Sequence, residues 1–163
     1  MLHTRTFLLL ISLCLLSSCR HPTTWEIDRL QGCRAVDSAA RLSAWATSYN
    51  SHFQLEWLQN VSGERLFVNS CDLEFPYSGQ ILIQAGEQEE TFFGYVFLGG
   101  QKLLLPDPAK DFVRQALLDG VPVIVTVGTY SGVFDAVGFA EKYPRLKEVE
   151  YLFMDCCPPR GMM

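Results

Sequence analysis

Histidine is scarce in this chain: three residues in 163, of which only His52 lies beyond residue 24. A nucleophile–histidine couple or a multi-histidine metal set therefore has little to draw on. There is no C-x-x-C spacing, and one histidine cannot complete the usual tetrahedral Cys/His set. Basic residues are the minority, 13 against 18 acidic, and they form no patch. A nucleic-acid-binding role thus lacks its electrostatic footprint. No apolar run reaches the ~20 residues that a helix needs to cross a bilayer. Internal repeats and low-complexity linkers are also missing, which excludes solenoid architectures.

The apolar run that does exist is short and sits at the start. Arg5 closes a brief n-region, MLHTR, and Phe7 to Leu16 follow with only Ser12 interrupting. That length suits a secretory h-region. It ends in Leu16-Ser17-Ser18-Cys19, which resembles the lipobox of bacterial lipoproteins. The resemblance implies cleavage between Ser18 and Cys19, a diacylglycerol on the Cys19 thiol and an acyl chain on its freed amine. Each buried methylene contributes about 0.8 kcal/mol, so three chains on one residue make a stable anchor. Beyond that lipid no cofactor or metal is expected. Arg20, rather than an aspartate, follows the cysteine, and by the same resemblance the chain is expected in the cell envelope, with the outer membrane favoured over the inner.

These readings divide the chain into residues 1–18 as signal peptide, 19–24 as lipidated tether, 25–155 as one domain, and 156–163 as a Cys-Cys-Pro-Pro tail. Removal of the signal leaves 145 of the 163 residues, enough for one domain with its own core. It also takes Arg5 away, moving the formal net charge from −5 to −6. Four cysteines then remain: Cys33, Cys71, Cys156 and Cys157. An even number in an exported domain points to disulfides. A bridge between the neighbours Cys156 and Cys157 would be strained, since adjacent Cα atoms stand only ~3.8 Å apart, below the usual disulfide range. Two arrangements send Cys33 and Cys71 separately to the tail. Another joins Cys33 to Cys71 and leaves the tail thiols free or cross-linked to a second molecule.

The middle of the chain reads as short strands between turn signals. Phe53 to Leu58 alternates, Asn60-Val-Ser-Gly63 turns, and Arg65 to Val68 returns as a hairpin. Ile81 and Ile83 alternate with Gln80 and Gln84 before a turn at Gly86 to Glu89. Thr91 to Leu98 is apolar on both faces and reads as a central strand covered on both sides. Gly99-Gly100 turns into Lys102 to Leu105, and Val121 to Val127 is another strand, with Pro122 at its start. Residues 36–49 fit a helical face or a hairpin, with strand favoured in the second half. One helix stands out: Asp107 as cap, Pro108 in the first turn, Val113 and Leu117 on one face, and Gly120 past the end. The expected fold is mainly β: an antiparallel β-sandwich or partial barrel of about seven strands with one packed α-helix.

From Gly99 to Ala140 the chain is also similar to the invasion-associated locus B family of exported bacterial β-sandwich proteins. The shared pattern is a helix ending in Ala116-Leu117-x-x-Gly120, an apolar strand, and Gly138-Phe139 before a short apolar helix. No functional residue is carried over from that resemblance.

Chemistry-bearing groups read mostly as solvated or as core. His52 falls in a turn, and Glu87, Glu89 and Glu90 form an acidic run in a hairpin. Trp25, Trp45 and Trp57 occur at spacings that suit core packing. Asn60-Val-Ser62 matches a glycosylation acceptor, which has no meaning in a bacterial lipoprotein of this kind, and Gly99-Gly100 is too slight for a phosphate loop. The expectation is a membrane-anchored, non-catalytic envelope module that binds another envelope protein or takes part in assembly. The alternative is a periplasmic or surface hydrolase with an acid pair or a site assisted by His52. A flat or edge-exposed apolar face would favour the binder; a deep pocket gathering two carboxylates would favour the enzyme.

Overall fold

Side-chain alternation drives the architecture. The computed structural model describes residues 24–30, 39–47 and 53–152. Ten strands follow in order: β1 (Glu26–Leu30), β2 (Ala39–Trp45), β3 (Phe53–Asn60), β4 (Gly63–Ser70), β5 (Gln80–Ala85), β6 (Gln88–Phe93), β7 (Tyr95–Val96), β8 (Lys102–Leu104), β9 (Val123–Val127) and β10 (Tyr130–Phe134). Helix α1 (Asp107–Leu118) lies between β8 and β9, and α2 (Phe139–Leu152) follows β10. Every pairing is antiparallel. One sheet runs β1-β2-β3-β4-β8-β7 and the other β10-β9-β5-β6. The mainly β, two-sheet expectation holds, and the arrangement is open rather than a closed barrel.

Each sheet turns one side to a shared core. Phe53, Leu55 and Trp57 of β3, Leu66 and Val68 of β4, Ile81 and Ile83 of β5, and Val123 and Val125 of β9 are all fully or almost fully buried there. Burying a side chain of this size stabilises by about 1.5–3 kcal/mol, so a period of two is enough to fix which side faces inward. The Thr47 N–H donates to Val133 O at 2.8 Å, tying the end of β2 to β10 of the other sheet.

Three local expectations need correction. The strand count is ten among the described residues rather than about seven, because β1 and β10 were not expected and Thr91 to Leu98 divides between β6 and β7. A second helix, α2, packs Phe139, Tyr143 and Leu146 inward even though Pro144 lies inside it. Asp107 does not cap α1. The cap is Pro106, whose carbonyl accepts from Lys110 N at 3.0 Å, while the Asp107 carboxylate takes the Lys110 ammonium at 2.7 Å. The other end is as read. Gly120 sits at φ +78°, with its N–H on Leu117 O and the Val121 N–H on Ala116 O, a Schellman closure.

The largest correction concerns Thr91 to Leu98, which is not a central strand. The chain leaves the edge of the four-stranded sheet at Phe93 and joins the edge of the six-stranded sheet at Tyr95. Phe92 points inward, but Phe93 and Tyr95 are 63% and 66% exposed. Gly94 makes the crossing possible. A Cβ there would stand 2.6 Å from Leu104 O, and one on Gly79 would stand 2.1 Å from Gly94 O. Two backbones meet where no side chain fits. A run apolar on both faces therefore marks a corner here, with one face in the core and the other in solvent.

Candidate binding surface

The outer side of the six-stranded sheet carries a polar network fixed by strand register. Asn69 pairs with Gln54 and Lys102, and Glu56 pairs with Phe67, so these side chains share one face. The Lys102 ammonium donates to Glu56 Oε1 at 2.9 Å and lies 4.2 Å from the Phe67 ring centre. Asn69 Nδ2 donates to Glu56 Oε2 at 3.0 Å and to Gln54 Oε1 at 3.2 Å. Glu56 is only 7% exposed, and Lys102 and Asn69 together offset its desolvation.

A second cluster forms where β4, α1 and α2 meet. The buried Tyr143 hydroxyl lies 2.8 Å from both oxygens of Glu64, to which it donates. Burial, and then the hydrogen bond to the Glu64 carboxylate, push the Tyr143 phenol far above its ordinary value. Burial works against the charge of Arg114. Tyr143, Asp111 and Glu64 outweigh it and hold that guanidinium above its usual range. Arg114 also pairs with Asp111 at 2.9 Å. This is a clamp between helices and sheet, with both carboxylates already engaged.

Apolar surface collects at the Gly79–Gly94 corner. Tyr77 and Leu98 are fully exposed, Phe93 and Tyr95 more than half so, and Phe97 38%. The backbone beside them is hydrogen-bonded. Phe75 N donates to Gly100 O at 2.7 Å, Leu73 N to Ser70 Oγ at 2.9 Å, and the buried Phe75 ring stacks on Phe53 at 6.1 Å. Tyr95 and Phe97 meet edge to face at 5.2 Å, and Phe97 leans on Phe67 at 6.0 Å. Three clefts, of about 330, 460 and 410 Å³, abut the 73–78 loop. Exposed aromatic groups beside shallow clefts suit recognition by apolar contact.

The residues expected from the sequence fall as follows. Ser18, Cys19, Cys33, His52, Cys156 and Cys157 lie outside the described residues. Cys71 is exposed and forms no disulfide among the described residues, and its carbonyl accepts from Gln101 Nε2 at 3.0 Å. Glu87, Glu89 and Glu90 are exposed at the β5–β6 turn and along β6. Trp25 and Trp57 are fully buried, and Trp45 is half-buried. Among the described residues no three metal-ligating side chains gather, and no helix is long and apolar enough to cross a membrane. Sequence reasoning missed Tyr77 and Leu98. Their only signal was a large apolar residue inside a turn, next to Pro76 and Gly99. It also missed the Tyr143–Glu64 clamp, whose partners are 79 residues apart.

No protein-family model, curated protein or solved structure matches this chain.

Proposed function

We propose that this chain is a lipid-tethered, non-catalytic envelope module that binds another protein through the aromatic corner formed by Tyr77, Phe93, Tyr95, Phe97 and Leu98. The observation that carries the reading is the edge-exposed apolar surface itself. Exposed large apolar groups are tolerated singly on any surface, but Tyr77, Tyr95, Phe97 and Leu98 line one cleft together, and a group of that kind supports an interaction site. The anchor half of the reading rests on the lipobox resemblance at Cys19, with the outer membrane as the favoured address.

Photo-crosslinking in intact cells tests it. A photoreactive residue at Leu98 in the full-length chain is expected to give a discrete adduct. The same residue at Val61, exposed at the other end of β4, should give none. Equal labelling from both positions, or none from Leu98, overturns the binding role. Cys19→Ala should accumulate uncleaved precursor that takes up no fatty acid. Normal maturation of that variant overturns the anchor.

A further inference from the structure

The aromatic corner adjoins an open strand edge, and the backbone phase of that edge can be read. Gly94 N donates to Gly79 O at 2.9 Å, and the register continues as Phe93 opposite Gln80, Thr91 opposite Leu82 and Glu89 opposite Gln84. Hydrogen-bonded and non-bonded pairs alternate in an antiparallel ladder. Since Gly94–Gly79 is bonded, Glu89, Thr91 and Phe93 are the non-bonded positions, and their N–H and C=O groups turn away from β5. β6 is the last strand of its sheet, and among the described residues nothing pairs with that side. The side chains of Glu89, Thr91 and Phe93 are all exposed.

Edges of this kind are normally blunted by a bulge, a proline, charged side chains or a covering loop. Among the described residues β6 has no bulge, proline, lysine or further pairing strand. It carries acid instead: Glu89 and Glu90 on the strand and Glu87 in the turn before it. None of the three forms an ion pair among the described residues. Following the edge toward Gly94, the charge gives way to Phe93 and Tyr95.

Resting on the binding role above, we propose that the β6 edge accepts an added strand from a protein partner, a basic and apolar extended segment. Its lysine or arginine side chains lie against Glu87, Glu89 and Glu90, and its apolar side chains lie against Phe93 and Tyr95. Main-chain bonds to Glu89, Thr91 and Phe93 supply the attachment, and the charge-to-apolar gradient sets direction and register. An anionic membrane surface is a poorer occupant, because it would meet the same glutamates. A second copy would bring two acidic edges together in a chain of net charge −5.

The test uses detergent-solubilised full-length protein and two fluorescent peptides, one alternating lysine and valine with a terminal phenylalanine, the other with glutamate in place of lysine. The lysine peptide is expected to bind at least about tenfold more tightly. Thr91→Pro removes an outward N–H without removing a native ladder bond, and should weaken binding about tenfold, whereas Thr91→Val keeps it. Unchanged circular dichroism checks that the proline variant is folded. Reversing Glu87, Glu89 and Glu90 to lysine should exchange the peptide preference and does not depend on the proline variant. Equal binding of both peptides, no binding of either, or binding indifferent to Thr91→Pro overturns strand addition. A dimer of the parent protein that Thr91→Pro dissociates overturns it in favour of a second copy. If strand addition fails while the Leu98 adduct persists, the binding role stands. Loss of that adduct defeats the role itself.

Discussion

Two groups of aromatic residues in this molecule have opposite fates. Under α2, Trp25, Trp57, Phe139 and Tyr143 form a closed cluster, with Trp25 4.9 Å from Phe139 and Trp57 5.1 Å from it, centre to centre. All four are at most 5% exposed. Trp25 is further fixed by its indole N–H on Asp135 O at 2.8 Å and by the Lys142 ammonium on its carbonyl. At the Gly79–Gly94 corner, Tyr77, Phe93, Tyr95 and Leu98 have no such cover. Residue type does not separate the groups. What separates them is whether a helix lies over the sheet edge: α2 packs against β1 and β2 at one edge of the six-stranded sheet, and among the described residues no helix packs in the same way on β7 at the other. Similar apolar side chains are core in one place and exposed in the other.

Substitutions at the two places should therefore differ in kind. Trp57→Ala, in the closed cluster, should destabilise by about 3–5 kcal/mol in urea unfolding, through lost burial plus a cavity. A cost below about 1 kcal/mol would show that the α2 cluster is not part of the core.

Lys102→Ala probes the boundary between the two regions, since Lys102 joins buried Glu56 to the Phe67–Phe97 rings. Leaving Glu56 without its cation should cost about 2 kcal/mol, less than a wholly buried pair because Lys102 is 39% exposed along its side chain. The double variant Lys102→Ala, Glu56→Gln should recover part of that loss, and a failure to recover any would remove the pair from the account.

Tyr143→Phe should cost about 1 kcal/mol near neutral pH by deleting the bond to Glu64. Its sharper effect lies in alkali. The folded-state value of the phenol is raised, so the neutral hydroxyl is favoured in the fold. Its contribution is complete below the unfolded value of about 10 and falls as pH rises beyond it, because the unfolded chain ionises first. Stability measured from pH 9 upward should thus decline less steeply in Tyr143→Phe than in the parent. Parallel curves would mean that the phenol does not drive the decline.

Leu98→Ser should change stability by less than about 0.5 kcal/mol, the ordinary range for an exposed site, while weakening capture of the partner at the corner. A large loss of stability would make Leu98 a core residue after all and erase the contrast between the two regions.

Much of the fold was legible because it rests on local patterning. The β3–β4 hairpin, the alternation of β5, the strand after Pro122 and the Gly120 end of α1 all follow from periodicity and turn chemistry acting over a few residues. Residues 36–49, which fitted a helical face or a hairpin, contain strand β2 at Ala39–Trp45, so the strand lies earlier than the second half in which it was favoured. The acidic run at Glu87, Glu89 and Glu90 read as a solvated turn, and it is exposed. The misreadings came where tertiary contacts outweigh local signals. The expected fold counted one helix, whereas burial of Phe139, Tyr143 and Leu146 holds a second, α2, together despite Pro144. Thr91 to Leu98 looked central because hydrophobicity does not reveal whether a neighbour exists to cover it.

By itself, then, the sequence determined the class of the fold and most of its inward faces. These depend on period-two patterning and on motifs that act over short stretches of chain. Only the tertiary structure decided that Gly79 and Gly94 pinch together, that one strand run serves the edges of two sheets, and that Glu64 meets Tyr143 across 79 residues. Each depends on segments distant in sequence approaching to within a few ångströms. Long-range contact of that kind, rather than composition, turned one set of aromatic residues into core and left the other exposed.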